Sequence, residues 1–258
     1  MRIAVIGAGK MGSWLAKELS GENELAVYDV DSARAMAVEG AKALSSLEKL
    51  ADFKPEMLLN AVSLQRTLEA FEAAAKHLPD GCMLADVASI KSGIPDYYKA
   101  CGRRFVSVHP MFGPTFANVE SLDKENAVII TESDPEGKEL FRALFKRLRV
   151  RIFEYSFDGH DRMMAYSLTT PFAASLVFAA CMESASVPGA TFARHKKIAK
   201  GLLSEDDHLL SEILFNKYSL PQVERITGRL EYLKHIIKGR DHEEAKKFFD
   251  KLRKNIGD

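Results

Sequence analysis

The run His109-Pro110-Met111-Phe112-Gly113-Pro114 sets an imidazole directly after a short apolar segment, 104–108. An imidazole titrates near neutral pH, so His109 can take or give a proton under ordinary conditions. A second run, Asp86-Val87-Ala88-Ser89-Ile90-Lys91, brings a hydroxyl and an ammonium close together. Ser89 and Lys91 could hold a small anionic substrate by hydrogen bond and charge. Each has a plainer reading: Ser89 as the cap of the next helix, Lys91 as a solvated helix residue, His109 as a structural histidine. A third run, Gly7-Ala8-Gly9-Lys10-Met11-Gly12, has glycines where a phosphate-binding turn needs them. The first permits a tight turn, the second lets backbone approach a pyrophosphate, and the third lets helix and strand pack closely. Asp29 follows about 20 residues later, where a carboxylate can accept hydrogen bonds from ribose hydroxyls and repel a 2′-phosphate. That pattern predicts NAD rather than NADP, with Arg34 as the one nearby residue that argues otherwise.

These groups need a scaffold, and the first half of the chain supplies one. Apolar strand-like segments at 2–6, 24–28, 41–44, 57–62, 82–87 and 105–108 alternate with helical periodicity at 10–19, 31–39 and 65–77. Asp31 reads as a helix cap. Further strands at 127–131 and 150–153 flank a helix at 136–147. This rhythm predicts an α/β, Rossmann-type, doubly wound and mostly parallel sheet over 1–154. Its strand ends would carry Asn60, Asp86 and His109 to one edge, where such sheets bind ligands. From 155 to 258 strands give way to five helical segments, which predicts an all-helical domain and a cleft between the two.

Composition narrows the function. The 36 basic and 36 acidic residues of this 258-residue chain cancel, so no global field points to nucleic acid or an anionic membrane. Three cysteines, Cys82, Cys101 and Cys181, fit no zinc spacing and no disulfide scaffold, so no metal is expected and a reducing, cytoplasmic setting is. The opening MRIAVIGAG goes straight into a strand without a charged leader and apolar block. The uncharged stretch 163–182 is about long enough to span a bilayer. Its hydroxyl residues and Pro171 favour a helix buried at a domain or subunit interface instead.

The chain resembles the prephenate dehydrogenase family along nearly its whole length. The resemblance rests on GAGKMG, the acidic end of YDVD, DVASIK, HPMFGP, the His160-Asp161 pair opening a long helix, and the helical second half. It implies NAD-dependent oxidative decarboxylation of prephenate, or of its amino analogue arogenate, in tyrosine biosynthesis. It further implies His109 as general base, with Ser89 orienting both it and the substrate hydroxyl. A homodimer through the helical domain is implied too. The second half departs from the family pattern: Thr169 and Thr170 stand where relatives carry histidine, making Thr169 a candidate substrate contact. The substrate-carboxylate cation falls on Arg194 or Lys197, which share a helix face; a solvated basic face is the plainer reading. His160 and Asp161 are expected to tie the domains together rather than to act in catalysis. Two other readings stay open: a 3-hydroxy-acid dehydrogenase using Lys197, and an NAD-binding redox sensor without turnover.

Overall fold

The computed structural model describes residues 1–112, 122–183 and 189–257, so Gly113 and Pro114 of the histidine run lie outside the described residues. The chain forms two compact units, Met1–Met163 and Met164–Asp258. The sequence places the division at 154. It falls later because Phe157 packs into the sheet's core and His160 hydrogen-bonds a sheet residue.

The first unit runs β1 (Arg2–Ile6), α1 (Lys10–Ser20), β2 (Glu24–Tyr28), α2 (Ser32–Met36), β3 (Ala41–Ala43), α3 (Lys49–Phe53) and β4 (Met57–Asn60). It continues through α4 (Thr67–Ala75), β5 (Met83–Asp86), α5 (Ile94–Cys101), β6 (Phe105–Pro110), β7 (Asn126–Ile130), α6 (Pro135–Arg147), β8 (Arg151–Tyr155) and α7 (Phe157–Met164). The eight strands form one sheet in the order β3-β2-β1-β4-β5-β6-β7-β8. All neighbours are parallel except β6 and β7, which run antiparallel.

The central strands are apolar along most of their length because both faces are covered, and their polar residues gather toward the carboxyl ends. Side chains alternate across the sheet. Ile3, Val5, Leu25, Val27, Met57 and Leu59 enter one core with Trp14 and Leu15 of α1 and Phe141 and Phe145 of α6. Ala4, Ile6, Ala26 and Leu58 enter the other with Leu50 of α3, Phe71 of α4 and Tyr98 of α5. Each fully buried Ile, Leu, Val or Phe contributes about 1.5–3 kcal/mol, so this layering dominates the unit's stability. Gly137 of α6 is part of the fit: a Cβ there would lie 2.6 Å from the Val106 side chain.

The second unit continues from α7 through a π-helical turn, Ala165–Thr169, into α8 (Thr170–Ala180), α9 (Ala190–Leu202), α10 (Asp207–Leu214), α11 (Ser219–Gly239) and α12 (His242–Ile256). The helix run Phe157–Ala180 is long and apolar enough to cross a membrane by length and composition. The sequence predicts a helix buried at a domain or subunit interface here. Within the single chain α8 has no buried residue, and 17% of the apolar window is covered.

Candidate active site

The glycine turn has the geometry a dinucleotide loop needs. Gly7 adopts φ +94°, and a Cβ there would lie 2.8 Å from the Ala61 carbonyl and the Val62 amide, so no other residue fits. A Cβ on Gly12 would run into the Gly7 carbonyl oxygen. At Gly9 a Cβ would meet nothing within 4 Å, leaving open space beside the backbone at the N-terminus of α1. That helix carries no acidic residue in its first turn, so its unpaired amides and dipole favour an anion. Lys10 is exposed and Met11 half-buried in the same turn.

Asp29 closes the loop. Its Oδ2 accepts from the Ala8 amide at 2.6 Å, and its Oδ1 accepts from the Asp31 amide at 2.8 Å. Asp31 caps α2, accepting from Ala33, as its sequence position predicts. Beside Asp29 lies a cavity of about 590 Å³ whose lining includes Gly7, Gly9, Arg34, Ser63 and Arg66. These residues fit a dinucleotide: open backbone for a pyrophosphate, a carboxylate at the end of β2 for a ribose, and a cavity between. Arg66 joins Arg34 as a cation near the ribose position. No motif marks Arg66, because it reaches the cavity from the helical turn that follows β4 rather than from the glycine loop.

At the reacting end, parallel pairing sets Asn60 against Asp86 and Asp86 against Ser107, and His109 follows two residues further along β6. Asn60 is spent on structure: its amide nitrogen donates to the Thr67 carbonyl at 2.8 Å. Asp86 and Lys91 form an ion pair, Oδ1 to Nζ 2.6 Å, with both side chains fully buried. Tyr98 donates its hydroxyl to Asp86 Oδ2 at 2.8 Å, and the Ala88 amide donates to Oδ1 at 3.1 Å. Lys91 also donates to the Val108 carbonyl at 2.8 Å, the peptide that leads into His109. This placement corrects the expectation of a direct substrate contact for Lys91. Its ammonium is committed to Asp86 and the β6 backbone. Burial pushes its pKa down and Asp86 opposes that; burial and Asp86 together hold the Tyr98 phenol well above its usual range.

His109 is 6% exposed. Its Nδ1 lies 3.1 Å from His160 Nε2, and His160 Nδ1 lies 3.5 Å from Asp161 Oδ1. Burial pushes His109 well below the ordinary histidine value, and His160 and Lys91 push the same way. Burial lowers His160 too, against the pull of Asp161. His109 is therefore a neutral imidazole at pH 7, able to accept a proton. Ser89 is half-buried in the bend after β5. It does not cap α5, whose cap is Gly93. Among the described residues no hydrogen bond joins it to His109. The side chain that meets the His109 ring is His160, a residue whose sequence position suggests a role in tying the domains together. His160 and Asp161 were visible as a pair. Tyr98 carried no signal beyond its place on α5.

In the helical unit Thr169 is fully buried, its hydroxyl 2.6 Å from Ser219 Oγ and donating to the Ile213 carbonyl at 3.4 Å. That corrects its expected role as a substrate contact: it ties the π-helical turn to α10 and α11. Arg194 and Lys197 are both exposed on α9.

Comparison with known proteins adds the family. "Prephenate dehydrogenase, nucleotide-binding domain" matches residues 19–153, over half of the chain. A probable arogenate/prephenate dehydrogenase of Methanocaldococcus jannaschii is 21% identical over the whole chain, and this chain spans 61% of its length. Arogenate dehydrogenase 2 of Arabidopsis thaliana is 23% identical over 96% of the chain and 73% of its own length. Among solved structures, a prephenate dehydrogenase from A. aeolicus with hydroxyphenyl propionate and NAD+ superposes with a TM-score of 0.82 at 20% identity, covering 99% of this chain and 96% of its own. The Synechocystis arogenate dehydrogenase gives 0.80 at 20% identity, covering 99% and 98%.

Proposed function

The chain belongs to the prephenate dehydrogenase family, and from that premise we propose that it is an NAD-dependent dehydrogenase converting prephenate to 4-hydroxyphenylpyruvate. The observation that carries the reading is His109, a buried imidazole kept neutral at the carboxyl edge of the sheet, in the same unit as the glycine loop. The relatives include both prephenate and arogenate dehydrogenases, so arogenate is the second reading.

The loop Gly7, Gly9 and Gly12, with the first turn of α1 at Lys10 and Met11, would hold the pyrophosphate, and Asp29 the ribose. When bound, NAD supplies the acceptor for the hydride leaving the hydroxyl-bearing ring carbon. His109 accepts the proton of that hydroxyl. The ring carboxylate then leaves as CO2 and its bonding electrons complete the aromatic ring, which drives the reaction forward. Ser89, half-buried in the bend after β5, would hydrogen-bond the substrate hydroxyl. Arg194 is the first choice for a substrate carboxylate because its planar fork can bind one bidentately; Lys197, one turn on, is the second.

The uncovered apolar surface of α8 supports a homodimer, with a second copy covering it rather than lipid. A solution mass twice the 28.7 kDa of one chain is expected, and a concentration-independent monomer refutes it. The three free cysteines suit a reducing cytoplasm.

The test is absorbance of the reduced cofactor with NAD plus prephenate, and separately plus arogenate, near neutral pH. Turnover of one assigns the substrate. The His109→Asn variant should then keep NAD affinity and lose about 10²- to 10⁴-fold in turnover. NAD binding without turnover of either compound overturns the reading.

A further inference from the structure

We propose that His160, backed by Asp161, is a positioning residue that fixes His109 as the Nδ1–H tautomer and so makes Nε2 its basic nitrogen. This rests on the reading of His109 as general base. A neutral imidazole has one donor and one acceptor nitrogen, and the partner of one sets the other. The chain of contacts runs in one direction. The Asp161 carboxylate can only accept, so at 3.5 Å it favours a proton on His160 Nδ1. That leaves His160 Nε2 as a lone pair, 3.1 Å from His109 Nδ1. The only complementary arrangement is a donor on His109 Nδ1 and a lone pair on His109 Nε2. The same logic holds the working tautomer in other acid–base histidines.

The surroundings keep both rings in the state the chain requires. His160 is fully buried and cannot exchange its partner for water. From the β5–α5 side, Lys91 lies close enough to disfavour a second positive charge on either ring, while Asp86 neutralises Lys91 itself. From α7, Asp161 is the charged neighbour. The Lys91 hydrogen bond to the Val108 carbonyl anchors the backbone of His109 from behind. The rings meet edge to face, 5.3 Å between centroids at 70°, so the contact runs through the nitrogens rather than by stacking.

The test uses the full-length protein with 15N-labelled histidine. His109 should show a protonated Nδ1 and an unprotonated Nε2. His160→Phe, of similar volume but without an acceptor, should abolish that preference. It should also lower kcat by about 10- to 100-fold, by analogy with losing the partner that orients a metal-bound histidine, while KM and NAD affinity change little. His160→Gln can place an amide oxygen where Nε2 sits and should restore the tautomer and most of kcat. A wild-type His109 protonated on Nε2 overturns the proposal, and so does a His160→Phe variant with unchanged tautomer and kcat. If His160→Phe does not fold, wild type and His160→Gln still decide it by the same spectra. The tautomer is read without substrate, so inactivity toward prephenate and arogenate would count against the function proposed above and leave this assignment to the spectra.

Discussion

Replacing Lys91 with methionine separates the two roles the residue could have. In a substrate-anchor role, its loss raises KM and leaves stability alone. In the role set by its contacts, its loss strands the carboxylate of Asp86. Both side chains are fully buried at 2.6 Å, and Asp86 would keep only the Tyr98 hydroxyl and the Ala88 amide. Breaking a buried pair by removing one partner costs about 3–5 kcal/mol, because the remaining charge is uncompensated. The methionine fills most of the volume, so little of the cost comes from a cavity. For a unit of this size about 2–4 °C of Tm accompanies each kcal/mol, giving a fall of roughly 6–20 °C. The assay is urea unfolding of wild type, Lys91→Met, Asp86→Asn and the double variant, followed by a signal from the sheet unit. The double variant should be less destabilised than the sum of the singles, since neither charge is then left alone. A Lys91→Met protein within about 1 kcal/mol of wild type, with a raised KM, would refute the structural assignment and restore the anchor.

Three further outcomes are expected. Burial and Lys91 hold His109 well below its ordinary value of 6.5, so the acid limb of kcat/KM should fall below that value. Stability follows the same sign: the unfolded chain takes up a proton that the folded ring refuses. It should be full above about pH 6.5 and decline as pH falls toward the depressed folded value; a urea midpoint equal at pH 5.5 and 7.5 contradicts this. Asp29→Ser should weaken NAD and improve NADP, since Arg34 and Arg66 line the same cavity and the repelling carboxylate is gone; unchanged cofactor preference in steady-state kinetics argues against a ribose role. Thr169→Val should lose about 0.5–1.5 kcal/mol through the missing hydroxyl contact to Ser219, which keeps its own bond to the Ile213 carbonyl, with KM unaffected; a KM effect without a stability loss would make Thr169 a substrate contact after all.

The buried pair and the paired histidines have related logic. A base that works near neutral pH must stay unprotonated. Here burial supplies most of the push, and a lysine tied to the strand backbone adds to it. The ion pair also braces the end of β6. Removing Lys91 should therefore move the acid limb as well as the melting temperature.

Much of the first unit was legible from sequence because local rules decide it. Strands covered on both faces read as unbroken apolar runs, glycines at positions 7, 9 and 12 follow from backbone geometry, and Asp31 caps a helix by short-range chemistry. The edge that carries Asp86 and His109 followed from the parallel rhythm. The antiparallel turn of β7 against β6 did not, because strand direction is settled by pairing rather than by the strand's own residues. Nor did the partners of the charged groups. Lys91 and Ser89 look alike as polar loop residues. One is sealed against Asp86 and the Val108 carbonyl, and the other stays half-buried in the bend after β5. Thr169 looked like a contact for substrate and is a bolt inside the helical unit. His160 lies far from His109 in the chain, and its imidazole meets that of His109 only because α7 packs back against the sheet. Residue types and spacing determined which chemistry was possible. Burial and long-range contact, which no local pattern encodes, decided which groups are left to perform it.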